Sequence, residues 1–595
     1  MKDLQQNYLS GLNEQQRDAV LCRANIVFVE AGPGTGKTHL LTSKLVDFIE
    51  SSSSPQKVVA LSYTNTAARQ IGERFEKKVR ESGITKEYTF FNGTIHSFCF
   101  RMMKAYNKAV SHVFDYVILD DEELHELAEE ICLQFGGKYE LKRIMDSLNS
   151  SNQDLPDELD EYIAKVKEGY KVISIQDILA FFVKALDEDA LFRSWMKEQV
   201  TVMAVDEAQD LSSLNYTILD RLIDINPELK VFLVGDPRQN IFEFNGGSYA
   251  NLHDFLGRHD KYEVKHLTIT YRCGQSIADY VNTFRFTDCD NLQLRSMYKD
   301  AGRISIKTAT SEHNEASLVL DAIRDSGDLN SCAVLCNSLK YLEPLMVTLR
   351  ENEIPYKVFG GRKTLKRHVR FLNHVLRIID SDNAYSIRKV AQYAGIYIIA
   401  DGKKRKSVFY TSELGQIILD IRGRSVTQRF PDTMAEVIER IMRDCSDSQD
   451  ISRDYDDIVA FASQYESISE YVVAFSTDSE RFAQFYQKDY LECAVPTDDV
   501  FLTISTIHSA KGLEWDNVFI MGLCEGNFPN PYFCQKMAPE KQSKFFNGEW
   551  KKMYVASTRA RENLCLTYSQ TITRKGYSFK KSPSRFIINQ QYQQS

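Results

Sequence analysis

The apolar positions of the chain fall into two alternating patterns. The first is a set of short, unbroken runs: Ile26–Val29, Val202–Val205, Ala333–Leu335, Tyr356–Phe359, "FLTIS" (501–505), "NVFIMGL" (517–523) and "NLCLTYS" (563–569). Runs of this length that do not alternate with polar residues predict strands buried on both faces, as in parallel sheets covered by helices. The second pattern has helical spacing. Leu342, Leu345, Met346 and Leu349 form one apolar stripe between two of the strands, the mark of a crossover helix. Longer helical stretches, such as "EELHELAEEICLQFG" and "TMAEVIERIMRDC", fill about 100–195 and 366–490. The prediction is an α/β protein with two parallel-sheet domains, each interrupted by a mainly helical insertion. The first core spans 1–99 and 196–265, with its insertion at 100–195. The second spans 266–365 and 491–595, with its insertion at 366–490.

Length agrees, since 595 residues exceed what one core holds and suit about three or four domains. No apolar run approaches the roughly 20 residues of a membrane span, and the N-terminus lacks the apolar centre of a signal peptide. A cytoplasmic protein without membrane partners is expected. The 12 cysteines form no CxxC pair, so neither zinc nor a disulfide framework is expected. The net charge of −9 argues against a general nucleic-acid binder but leaves room for a local basic groove. Acid is concentrated at 119–130, and base at 361–370 and 401–410. Each of the two basic runs, taken alone, reads as a solvated helix face or loop.

The chemistry begins at "NIVFVEAGPGTGKTHLL" (25–41). A buried strand enters a glycine loop that opens a helix. Gly32, Gly34 and Gly36 permit a tight turn and close backbone approach; with Thr35 they form a cradle for phosphates. Lys37 reaches the β- and γ-phosphates, the Thr38 hydroxyl ligates Mg²⁺, and the helix amides face the anion. Ala31 stands where this motif usually has its first glycine. A triphosphate site needs carboxylates, and "TVMAVDEAQDLSSLNY" (201–216) supplies them at the end of a strand. Asp206 is the Mg²⁺ residue and Glu207 the group that orients and deprotonates water.

Together these segments resemble a superfamily 1 DNA helicase of the UvrD, Rep and PcrA type, and further segments match its motifs in order. "LNEQQ" resembles the adenine-reading motif, with Gln16 as the base contact. "LSYTNTAARQ" and "GTIHSFCF" resemble single-strand contacts, through Thr64 and Asn65, and through Thr94, His96 and Phe98. "VFLVGDPRQNIFEFNGG" resembles the coupling motif, with Gln239 at the γ-phosphate and Phe244 stacked on a base. "TYRCGQS" carries Arg272 as a γ-phosphate arginine. "STIHSAKGLEW" places Thr506, His508 and Lys511 near DNA and Glu514 near the ribose. "STRAR" carries Arg559, the second arginine finger.

The resemblance implies two RecA-like domains, ATP and Mg²⁺ as cofactors, and single-stranded and tailed duplex DNA as partners. It also implies 3′-to-5′ translocation with strand separation. Departures are Asn245 where arginine is usual, His39 after the phosphate loop, Cys336-Asn337 in the second core, and Lys551 and Lys552. The second insertion is short for the family, and no nuclease domain is expected after "SPSRFII". Short UvrD-like chains of this kind occur in anti-phage systems such as Gabija beside an OLD-family nuclease. The alternative function is therefore an ATPase that senses DNA and activates such a nuclease; a repair helicase acting alone and an RNA substrate are further readings.

Overall fold

The computed structural model describes residues 7–110, 116–149, 157–243, 246–299, 301–359, 367–396, 403–442, 458–459, 461–477, 500–530, 537–574 and 577–587. Two six-stranded sheets, parallel throughout, organise it. The first contains β1 (Ile26–Ala31), β2 (Gln56–Leu61), β3 (Tyr88–Gly93), β4 (Val202–Val205), β5 (Lys230–Gly235) and β6 (Tyr262–Leu267). Their order is β3-β2-β4-β5-β1-β6. Successive side chains of a strand point to opposite faces. Accordingly Ile26 and Phe28 join one apolar cluster, and Val27 and Val29 join the other. Both faces are covered by helices, including α1 (Glu14–Leu21), α2 (Lys37–Ser51), α3 (Asn65–Glu81) and α4 (Ile95–Ala109). That coverage is why the strands read as continuous apolar runs.

The second sheet contains β7 (Arg303–Ala309), β8 (Cys332–Cys336), β9 (Tyr356–Phe359), β10 (Leu502–Thr506), β11 (Trp515–Ile520) and β12 (Ala560–Ser569). Their order is β7-β12-β11-β8-β10-β9. The predicted strand–helix–strand unit at 332–361 is present through its described residues, which end at Phe359. Its two strands are not neighbours, because β10 lies between them.

The insertions pack on each other. In the first, residues between Val117 and Val172 form their own cluster, which also takes in Tyr385 from the second. Two helices inside the predicted 100–195 insertion, Ile175–Glu188 and Ala190–Lys197, instead share the core beneath the first sheet. The acidic run forms the helix Asp121–Gln134, and it meets two helices of the second insertion, Arg367–Ser381 and Ala384–Tyr393. Arg377, wholly buried, pairs with Glu123 and donates to the Ile118 carbonyl at 2.9 Å and to Ser476 at 3.0 Å. Arg370 pairs with Glu122, Lys389 lies 2.5 Å from Glu126, and Arg388 lies 2.5 Å from Glu130. From the basic run at 361–370, Arg370 thus turns onto the acidic run at 119–130, while Asp121, Glu129 and Arg367 stay exposed. No helix among the described residues is long and apolar enough to cross a membrane.

Candidate nucleotide and strand-contact site

The loop after β1 is shaped by what packs against it. Gly34 (φ 71°) and Gly36 (φ 84°) adopt the left-handed conformation that favours glycine. A Cβ at Gly34 would lie 2.4 Å from the Arg272 Cβ, and one at Gly36 would lie 2.7 Å from Gln16 Nε2. Gln16 closes a capping box with Asn13 at the start of α1 and donates to the Thr35 carbonyl at 2.9 Å. The Thr35 hydroxyl donates to the Gly32 carbonyl at 2.8 Å. Lys37 Nζ sits 3.3 Å from the carbonyls of Ala31 and Gly32. Burial pulls its pKa down, against the attraction of Glu207, Asp236 and Asp206.

Asp206 and Glu207 follow β4. Glu207 has φ 54°, a strained setting for a non-glycine residue that turns its carboxylate into the cleft. Gln209 donates to Glu207 Oε2 at 2.5 Å, and its own carbonyl accepts the Asp236 backbone N–H at 2.9 Å. Burial and the charge of Glu207 push Asp206 up. Burial acts on Glu207 in the same direction, but Lys511 and Lys37 outweigh it and hold Glu207 down. Among the described residues Asp206 forms no ion pair; it accepts only from the Glu207 N–H, at 3.0 Å. A buried carboxylate that makes no ion pair among the described residues suits a hard divalent ion such as Mg²⁺.

The other wall of the cleft comes from the second core. Arg272 and Glu514 are paired, and Glu514 also pairs with Arg561 at 2.5 Å. Arg559 is buried; it donates to Gln239 Oε1 at 3.1 Å, to the Leu513 carbonyl at 3.1 Å and to the Val555 carbonyl at 3.0 Å. Burial and the nearby Arg272 lower its pKa to about 9. The charges of Arg272 and Arg559 act against one another, and an anion such as a triphosphate bound beside them would relieve that repulsion. Lys37, Glu207, Gln239, Arg272, Arg559, Gln16 and Glu514 therefore line one cleft.

The predicted strand contacts divide. Thr64, Thr94 and Thr506 each cap a helical turn, accepting from the backbone N–H of Ala67, Ser97 and Ser509 at 3.2, 3.2 and 3.3 Å. Asn65 begins α3. Each turn presents N-terminal amides of the kind that hold phosphate. His96 is buried at Nε2 with no hydrogen-bond partner among the described residues, and burial lowers its pKa to about 4. Phe98 corrects the expectation. It is 1% exposed and packs between Phe91 and Phe182, so it has no ring face to offer a base. Lys511, grouped with the DNA contacts, instead pairs with Asp210, donates to the Gln239 carbonyl at 2.9 Å and lies 3.9 Å from Glu207. Phe244 lies outside the described residues.

Sequence reasoning missed an aromatic group. Tyr63 and Phe242 stack with centroids 5.0 Å apart and planes at 15°. His508 lies 6.1 Å from Phe242, and Lys511 Nζ sits 4.9 Å from the Phe242 centroid. Both aromatics were visible inside quoted motifs, in "LSYTN" and "NIFEF". Gln209, Asp210 and Asp236 were also passed over, although each is polar at the end of an apolar run.

Comparison with known proteins agrees with this geometry. Residues 12–260 match the model of the UvrD/REP helicase N-terminal domain. Residues 265–398 and 412–571 match the UvrD-like helicase C-terminal domain. DNA helicase II of Escherichia coli K12 is 25% identical, over 97% of this chain and 87% of that protein. The ATP-dependent DNA helicase PcrA of Bacillus subtilis is 25% identical over 99% and 86%. UvrD1 of Mycobacterium tuberculosis H37Rv is 24% identical over 97% and 85%.

Proposed function

The chain belongs to the UvrD-like helicases, matched through both their N- and C-terminal domains, and on that premise we propose that it is an ATP-dependent DNA helicase. It translocates 3′ to 5′ on single strands and separates the duplex ahead. The observation that carries this reading is the contact of Gln239 with Arg559 across the cleft, three residues before Phe242, the partner of Tyr63. One short loop thus touches both the nucleotide cleft and the aromatic pair.

When bound, Mg²⁺ neutralises charge on the phosphates; Thr38 and Asp206 would hold it. Lys37 binds the phosphates, and Gln16 reads the base beside them. Glu207 orients water and takes its proton. Arg272 and Arg559 meet charge that grows in the transition state. Closing the lobes on ATP and reopening them on product changes the distance between strand contacts on the two cores, which is a translocation stroke. Thr64, Asn65, Thr94 and Thr506 hold backbone phosphate. Tyr63, Phe242 and Phe244 hold bases, so binding is sequence-tolerant and falls with salt.

The test is ATP turnover with and without single-stranded DNA, then strand separation on duplexes with 3′ or 5′ tails. Stimulated turnover with separation of 3′-tailed substrates is expected. Stimulated turnover with no separation on either tail favours the DNA-sensing ATPase that serves an OLD-type nuclease. No stimulation by DNA sinks both readings.

Two variants sharpen the assignment. Arg559→Ala is expected to keep ATP affinity while slowing hydrolysis about 10²-fold or more, because the guanidinium acts on transition-state charge. Equal losses of binding and turnover would make Arg559 a structural residue. Tyr63→Ala and Phe242→Ala are each expected to lose about 1–3 kcal/mol of single-strand affinity. Unchanged affinity in fluorescence anisotropy would remove the aromatic pair from the strand path.

A further inference from the structure

Beneath the cleft runs a line of charge that the reaction described above does not use. Glu30 lies in β1, whose six residues are all buried, so a carboxylate there is unusual. It lies beside Gly235 in β5 and His266 in β6. Glu30 Oε2 is 3.2 Å from His266 Nδ1, and Oε1 is 3.3 Å from Arg238 Nη2. Arg238 Nε donates to Asp236 Oδ1 at 2.6 Å, and its backbone N–H donates to the same oxygen at 3.2 Å. Asp236 Oδ2 accepts from Gln239 Nε2 at 2.8 Å. Gln239 Oε1 then accepts from Arg559. Arg238 is 1% exposed and Asp236 is fully buried.

We propose that Arg238 is a positioning residue for ATP hydrolysis. Clamped between Glu30, next to the phosphate loop, and Asp236, it fixes the Gln239 amide and through it the seat of Arg559. The inference rests on the ATPase reading given above. The orientation of the amide follows from its partners. A carboxylate only accepts and a guanidinium only donates, so Nε2 faces Asp236 and Oε1 faces Arg559. That arrangement survives only while the Asp236 carboxylate does not rotate. The Arg238 guanidinium and backbone N–H hold it there through their bonds to Oδ1. A lysine offers a point charge without the planar fork and cannot hold two carboxylates in one geometry.

A second observation separates positioning from packing. Arg238 Nη1 and Nη2 and Glu30 Oε1 make no hydrogen bond among the described residues, and neither does the Tyr554 hydroxyl. Tyr554 lies on the helix Pro539–Ser557 of the second core. A buried ion pair kept only for stability is weak, because well-packed apolar residues do as well or better. Here the guanidinium keeps two Nη groups without a hydrogen bond among the described residues, a cost that stability alone does not explain.

The test compares Arg238→Met, Gln239→Ala and their double variant in the full-length chain, at saturating single-stranded DNA. Arg238→Met is expected to lower kcat about tenfold or more with the KM for ATP changed less than about threefold. The double variant should turn over no more slowly than Gln239→Ala alone, because both changes break one path. Thermal melts establish that the variants are folded. If Arg238→Met does not fold, Arg238→Lys and Glu30→Gln are carried through the same cycle with Gln239→Ala. A folded variant with parental kcat, or losses that multiply in the double variant, would overturn the proposal. Absence of DNA-stimulated turnover in the parent chain would instead strike the ATPase reading, so the two failures are distinguishable.

Discussion

Glu207→Gln is expected to bind ATP as the parent chain does and to hydrolyse it about 10²-fold or more slowly. The substitution keeps the size of the side chain and removes the only function a general base needs, an ionised oxygen. The surroundings of Glu207 are built to preserve that oxygen. Burial would favour the neutral acid, and Lys511 and Lys37 reverse this preference. Gln209 donates to one of its oxygens, so an amide placed there also turns an N–H against a donor or flips away from it. The left-handed backbone at Glu207 is unchanged by glutamine, so fold and ATP binding should persist. The measurement is equilibrium binding of a fluorescent ATP analogue beside steady-state turnover with single-stranded DNA. Parental turnover in a folded Glu207→Gln chain would take the base role away from this residue.

The parts of this architecture that a sequence discloses are those written locally. Val202–Val205 is a strand in sequence and structure alike, because a strand between two others must be apolar on both faces. The glycine loop is legible because left-handed turns at Gly34 and Gly36 accept few other residues. What stayed hidden is long-range. Gln239 and Arg559 are 320 residues apart, and no local periodicity announces that contact. The place of β10 between β8 and β9 is likewise set by crossover connections. Phe98 went wrong for a different reason. Assigned as a strand contact by resemblance, it also sits with Ile95, Cys99 and Met103 at helical spacing. All four are buried, and the period was the better guide. Tyr63 and Phe242 escaped because each carries its meaning only as half of a pair. The basic run at 361–370 shows the same limit: read alone it looked solvated, and only the fold brings its Arg370 against Glu122.

Arg377→Met is expected to weaken docking between the two insertions by about 3–5 kcal/mol, the usual cost of leaving one member of a buried ion pair behind. Glu123 would remain, 2% exposed, with the Asp120 N–H still bonded to it but its guanidinium partner gone. Replacing both members, Glu123→Leu with Arg377→Met, should recover much of the loss, because the bare charge is gone and apolar side chains fill the space. The pH dependence distinguishes the two states of Glu123. In the parent chain burial raises its pKa, but Arg377 and His374 overcome this and hold it at about 2. A carboxylate depressed in the folded state adds stability above its unfolded value of about 4.3, and that stability is lost as pH falls toward 2. His374 is itself held down, to about 3, by burial, so it is neutral over most of that window and Arg377 carries the effect. In Arg377→Met the order reverses. Burial then dominates, the folded pKa rises above the unfolded one, and docking weakens as pH increases. Hydrogen exchange along Asp121–Gln134, followed between pH 5 and 8, reads this directly. Faster exchange in Arg377→Met, growing toward pH 8 and suppressed in the double variant, is the expected result. Exchange equal to the parent's at every pH would mean that the apolar contacts around Tyr385 hold the insertions together without the ion pair.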